Sequence, residues 1–224
     1  MLNETNRKTT KMVLMAIFTA LAYVSVLLIR VPVVMFLSYE PKDVFILLAA
    51  LIIGPFEGLV VSVVTSFIEM FTISQTGWWG LLMNVLSTVA FILPPALLYK
   101  KFRKDWSVAV GVCVGTICMT MVMLLWNYLV APLYMNVPRE QIVPLLATMF
   151  LPFNLLKAIL NSGLTMILFV PLKAALTRSN LLLQESEEES KRANRILTVI
   201  VAALIIITGI LFISVLKPVL FGNV

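Results

Sequence analysis

The sequence has no histidine and only two cysteines among its 224 residues, and charged residues make up just 12% of it. Without histidine, and with Cys113 and Cys118 inside one apolar run, a zinc-type metal site has almost nothing to build on. On a helix those two thiols point about 140° apart, which argues against a bridge between them. No Gly-x-x-x-x-Gly-Lys-Ser/Thr loop occurs to hold ATP. No catalytic dyad or metal cluster is legible either, so the chain does not read as an enzyme. A soluble domain carries about a quarter charged residues. Here 61% of residues are hydrophobic and the mean hydropathy is +1.03. The chain therefore reads as an all-α polytopic membrane protein whose length is used up by its spans. No cleavable signal peptide is apparent, because the first apolar run is long and no small-residue cleavage site follows it. The net charge of +6 does not point to nucleic acid, since the basic residues flank the apolar runs.

What is present is a series of apolar segments. Residues 12–29 form a first span, with Ala16 and Ala20 on one face, a spacing that lets another helix approach closely. Residues 30–43 form a loop whose centre is unusually apolar for a segment facing water, which suggests that it folds inward. Residues 44–53 make a short second helix ended by Gly54-Pro55. Residues 59–73 make the third, interrupted by Glu69. Residues 81–99 make the fourth, where Pro94-Pro95 should kink it. Residues 108–131 make the fifth, with Gly111 and Gly115 at a packing spacing. Residues 132–144 read as a polar connector, 145–150 as a short helical lead-in, and 152–176 as the sixth span. A charged stretch, 177–195, reads as a solvated linker, and 196–216 as a seventh span. The resulting division is a membrane domain over 1–176, a cytoplasmic linker over 177–195, and an additional transmembrane helix with a short tail over 196–224.

Charge sets the expected orientation. Of the 17 basic residues, 12 fall in segments on the same side of the membrane as the N-terminus. Only Arg30, Lys42, Arg139 and Lys217 fall on the other side, and Lys157 lies within a span. The positive-inside rule then puts the N-terminus in the cytoplasm and the C-terminus outside. Asn84, Asn127, Asn154 and Lys157 thereby gather in the outer half of the membrane, near Tyr39, Trp78 and Trp79. The last three also suit an interfacial aromatic belt.

The segment opening at Leu151-Pro152 carries the strongest signal. Asn154, Lys157 and Asn161 fall within about 60° of one another on a helix, forming a polar stripe about 10 Å long. A lysine at that depth faces a cavity or a partner. Two readings stay open: the stripe walls a substrate pocket, or the amides join helices while Lys157 snorkels to the interface. Glu69 is a possible partner for Lys157 or Lys42 across helices.

Several segments together resemble the substrate-binding S-component of an energy-coupling factor (ECF) vitamin transporter, specifically the riboflavin type. They are Phe36-Leu37-Ser38-Tyr39-Glu40-Pro41-Lys42-Asp43, Gly54-Pro55 with Gly58, Ile68-Glu69-Met70 through Thr76-Gly77, and Leu82-Met83-Asn84. Asn127-Tyr128 with Pro132-Leu133-Tyr134-Met135, and Leu151-Pro152-Phe153-Asn154-Leu155-Leu156-Lys157, complete the set. The resemblance implies a six-helix S-component bundle that binds riboflavin with high affinity from outside. It also implies a transmembrane coupling protein and two cytoplasmic ATPase subunits as partners in the cell membrane. Asn127, Asn154 and Lys157 match positions expected to contact the flavin, followed by Asn84, Tyr39 and Leu37. Ala16 and Ala20 match the small-residue motif that meets the coupling protein. No cofactor or metal is implied; riboflavin is the cargo. The seventh span departs from the six-span pattern. The alternative is an ion-coupled carrier working alone, for which Glu69 is the one acidic residue well inside a span.

Overall fold

The computed structural model describes residues 4–34, 37–74 and 76–179. The expected seventh span and the linker from residue 180 onward lie outside the described residues. Among the described residues, seven helices and one β-hairpin follow in order: α1 (Glu4–Leu28), β1 (Val31–Val34), β2 (Leu37–Tyr39), α2 (Lys42–Ile52), α3 (Pro55–Thr72), α4 (Gly77–Phe102), α5 (Asp105–Met135), α6 (Arg139–Leu145) and α7 (Leu151–Arg178). A single π-helical turn, Leu146–Phe150, joins α6 to α7. Among the described residues, five helical segments are long and apolar enough to cross a bilayer, which makes this a multi-pass membrane protein.

The short second helix, as its sequence suggests, is not among those five. α2 has 11 residues, about 16 Å at roughly 1.5 Å per residue, about half of a bilayer core. It is apolar on nearly every side, and all of it except Phe45 is buried. A helix of that character belongs at the centre of a bundle, and α1, α3, α4 and α7 pack around it. The β-hairpin precedes it in the chain. It adds a short strand pair to a mostly helical chain, within the expected loop over residues 30–43, and agrees with a loop that folds inward: Leu37 and Glu40 are buried. β1 and β2 pair antiparallel, with Val31 opposite Tyr39 and Pro32 opposite Ser38. Pro32 has no N–H to give, which a two-stranded edge tolerates.

Gly54 turns the chain from α2 into α3 within two residues. Its φ of 152° suits glycine, and Pro55 supplies a first helical residue that needs no donor. At the same end of the bundle the expected basic loop is shorter than the sequence suggests: α4 runs through Lys100 and Lys101, and only Arg103 and Lys104 link it to α5. The polar connector shrinks similarly. α5 continues past Pro132 to Met135, and α6 begins at Arg139.

Pro94 and Pro95 lie inside α4, which continues through them. Pro95 has no N–H, so the Phe91 carbonyl loses its helical donor. Gly115 of α5 sits over that carbonyl, and a Cβ there would lie 2.3 Å from Phe91 O. A Cβ on Gly111 would lie 2.3 Å from Pro95 Cα. The two glycines therefore do what their spacing suggests, which is close packing. Gly115→Ala should lower stability by about 1–3 kcal/mol, the usual range for forcing extra volume into a packed interior. A fall in the thermal unfolding midpoint in detergent measures it; an unchanged midpoint would mean that α4 and α5 separate freely.

Candidate functional site

A cleft opens at the hairpin end of the bundle, opposite the α4–α5 turn. Its walls come from α1 (Val26), the α1–β1 link (Arg30), the hairpin and its exit (Leu37, Ser38, Glu40), α3 and the turn after it (Glu69, Ile73, Ser74, Thr76), α4 (Met83, Asn84, Ser87), α5 (Met123) and α7 (Phe153, Asn154, Lys157). Its volume is about 80 Å³. Apolar walls with a few placed polar groups are the usual form of a small-molecule site.

Two polar networks stand on and behind these walls. In the first, Arg30 pairs with Glu40 at 3.3 Å, and Lys42 with Glu40 at 3.3 Å and with Glu69. Asn84 Nδ2 donates to Glu69 Oε2 at 3.1 Å. Arg30 also donates to the Ile73 carbonyl at 3.1 Å, tying the hairpin's entry to the end of α3. Lys42 is fully buried, so it is not the loop cation that its position outside the apolar runs suggests. An ammonium without water is tolerable only when paired, and two carboxylates meet it.

The second network centres on Asp43, which is 0% exposed. Thr88 Oγ1 donates to Asp43 Oδ1 at 2.6 Å, Asn161 Nδ2 to Oδ2 at 3.3 Å, and Lys157 Nζ lies 3.2 Å from Oδ2. Tyr39 donates its hydroxyl to Asn161 Oδ1 at 3.1 Å. Burial first, and the Asp43 charge second, raise the pKa of that hydroxyl above its ordinary value, so it remains a donor at neutral pH.

Of the expected site residues, Leu37, Asn84, Asn154 and Lys157 line the cleft together. Tyr39 and Asn127 do not. Tyr39 turns to Asn161, while Asn127 is fully buried, donates to the Met123 carbonyl at 2.7 Å and accepts from Tyr134 at 3.0 Å. Asn154 is held by the π-helical turn, donating to the Phe150 carbonyl at 2.7 Å. Trp78 and Trp79 are exposed at the start of α4 and do not rim the cleft. Glu69 pairs with Lys42 rather than Lys157. Arg30, Glu40, Asp43 and Thr88 had no place in the expected site. One signal could have found the carboxylates: a chain with so few acids that sets Glu40, Asp43 and Glu69 beside or within apolar runs needs cations for them. Ala16 and Ala20 are both exposed, on the side of α1 away from its buried row Leu14, Phe18, Ala22 and Val26.

The riboflavin transporter FmnP of Bacillus subtilis (strain 168) is 28% identical over 180 residues, covering 74% of this chain and 93% of that protein. The riboflavin transporter RibU of Staphylococcus aureus (strain TCH60) is 27% identical over 140 residues, covering 60% and 74%. A solved structure of the S component of a bacterial ECF transporter superposes with a TM-score of 0.65 at 25% identity, covering 75% of this chain and 98% of that one. The family model for the substrate-specific component of ECF transporters matches residues 10–169. That is more than half of the chain, which therefore belongs to this family of membrane transport components and is not an enzyme.

Proposed function

We propose that this chain is the riboflavin-binding subunit of an ECF-type importer, taking the vitamin from outside and passing it inward with a coupling protein and two ATPase subunits. The observation that carries this reading is the convergence of Leu37, Asn84, Asn154 and Lys157 on one cleft in a chain whose relatives are riboflavin transporters. A flavin presents a flat ring edged with carbonyls and nitrogens, and a ribityl chain of hydroxyls. Amides can donate and accept to such groups, and an ammonium can donate to their oxygens. Phe153, Met83 and Leu37 offer apolar surface to the ring. Tyr39 and Asn127 serve the site by holding its walls.

The basic residues around the α4–α5 turn lie at the end away from the cleft. With that end in the cytoplasm, the cleft opens outward. Small-molecule pockets usually enclose about 300–1,000 Å³. A cleft of about 80 Å³ must therefore widen to admit a flavin; the hairpin forms one of its walls, anchored by buried Leu37, by the Tyr39–Asn161 bond and by the Arg30 bond to the Ile73 carbonyl.

The first test is direct. The chain purified in detergent should copurify with riboflavin, or take it up, and show a flavin absorption spectrum. A preparation that neither carries nor binds riboflavin would end this reading. Uptake by the chain alone, driven by a proton gradient without ATPase partners, would favour the ion-coupled carrier instead.

A further inference from the structure

Asp43 is not part of the cleft wall, yet three donors from two other helices meet on its carboxylate. Thr88 of α4 and Asn161 of α7, both fully buried, fix its two oxygens. The third, Lys157 Nζ at 3.2 Å, belongs to a side chain that does line the cleft. We propose that Asp43 is the positioning residue of the binding site: it aims the Lys157 ammonium at the ligand and, through Asn161, ties the hairpin's Tyr39 to the same point.

A lysine carries its charge on four rotatable carbons, and holding it in one rotamer costs entropy. An aspartate on a short stem, itself pinned by two bonds, removes that freedom before the ligand arrives, which is preorganisation of the first contact by a supporting one. The other charged groups around the cleft, Arg30, Lys42, Glu40 and Glu69, pair among themselves. Asp43 is therefore the carboxylate that Lys157 meets. Its chain neighbour Lys42 belongs to the other network, so adjacent residues at the start of α2 anchor the two polar networks separately. The inference rests on the riboflavin reading only for the identity of the ligand.

The experiment is a double-mutant cycle on riboflavin affinity, read by quenching of flavin fluorescence. Asp43→Asn should raise Kd about tenfold in the native background, comparable to one lost charge-assisted bond. It should add almost nothing when Lys157 is already Met, because a residue acting through another has no further effect once that other is gone. Thr88→Val should follow the same pattern with a severalfold change, and it carries the cycle if Asp43→Asn does not fold. Losses that add in full across the two backgrounds would overturn the proposal. A second measurement needs no ligand: the rate at which Lys157 is acylated at one fixed pH, read by mass spectrometry. In Asp43→Asn, or in Thr88→Val if that variant is used, it should rise severalfold while the rate at Lys104, exposed at the other end of the bundle, stays unchanged. Equal Lys157 rates in variant and native protein, or a parallel rise at Lys104, would also overturn it. If the native chain binds no flavin, the functional reading fails, and the acylation comparison still decides the role of Asp43.

Discussion

Lys157→Met should raise the riboflavin dissociation constant by about ten- to a hundredfold. A hydrogen bond from a charged donor contributes about 1.5–3 kcal/mol, and each 1.4 kcal/mol is about tenfold in affinity. Lys157 is 7% exposed, and its place on the cleft wall leaves its ammonium little else to do than meet Asp43 and a ligand. Methionine is unbranched and fills irregular space, so the variant removes the charge with little change in packing. Asp43 then loses one partner but keeps Thr88 and Asn161, which limits the penalty of leaving a buried carboxylate behind. Titration with riboflavin in detergent gives the number, and the thermal midpoint checks that the bundle is intact. A Kd within twofold of the native value would remove Lys157 from the site.

The long spans were legible because their apolar runs exceed what a bilayer needs, a signal of length alone. The bundle's centre was harder to read. α2 looks like a deficient span until it is seen enclosed by α1, α3, α4 and α7, and nothing local in residues 44–53 announces that enclosure or the strand pair before it. The polar stripe of Asn154, Lys157 and Asn161 was readable because helical periodicity is local, and all three are buried as that stripe requires. Their division of labour was not readable. Asn154 and Lys157 line the cleft, whereas Asn161 turns to Asp43 and Tyr39, more than 100 residues away in sequence. Asn127 shows the same limit: an amide near the end of a span can face a ligand or satisfy its own helix and a neighbouring tyrosine, and the sequence pattern is identical in both cases. Ion pairs between helices depend on packing angles that no sequence window contains.

Ala16→Arg, or Ala20→Arg, should abolish riboflavin uptake in cells that also make the coupling protein and the ATPases, while leaving Kd in detergent unchanged. On α1 the row Leu14, Phe18, Ala22 and Val26 turns into the bundle. Residues 16 and 20 lie about 200° from residues 14 and 18 at 100° per residue, so they face away from it. Met12 and Val24 continue the alanine row, while Val13, Ile17 and Leu21 run beside it, all of them exposed. A shallow strip of small side chains beside larger ones is a surface onto which a second helix can pack closely, and van der Waals contact is the main attraction available in lipid. A guanidinium in that strip blocks the approach, and the cleft lies elsewhere, walled by the other side of α1 through Val26. Arginine in a span carries an insertion penalty of about 2.5–3.5 kcal/mol, so Ala16→Trp separates the two effects: it is bulky but apolar, inserts readily, and should block uptake as well. Uptake at native levels in both variants, with the protein present in the membrane, would mean that the coupling protein docks on a different helix.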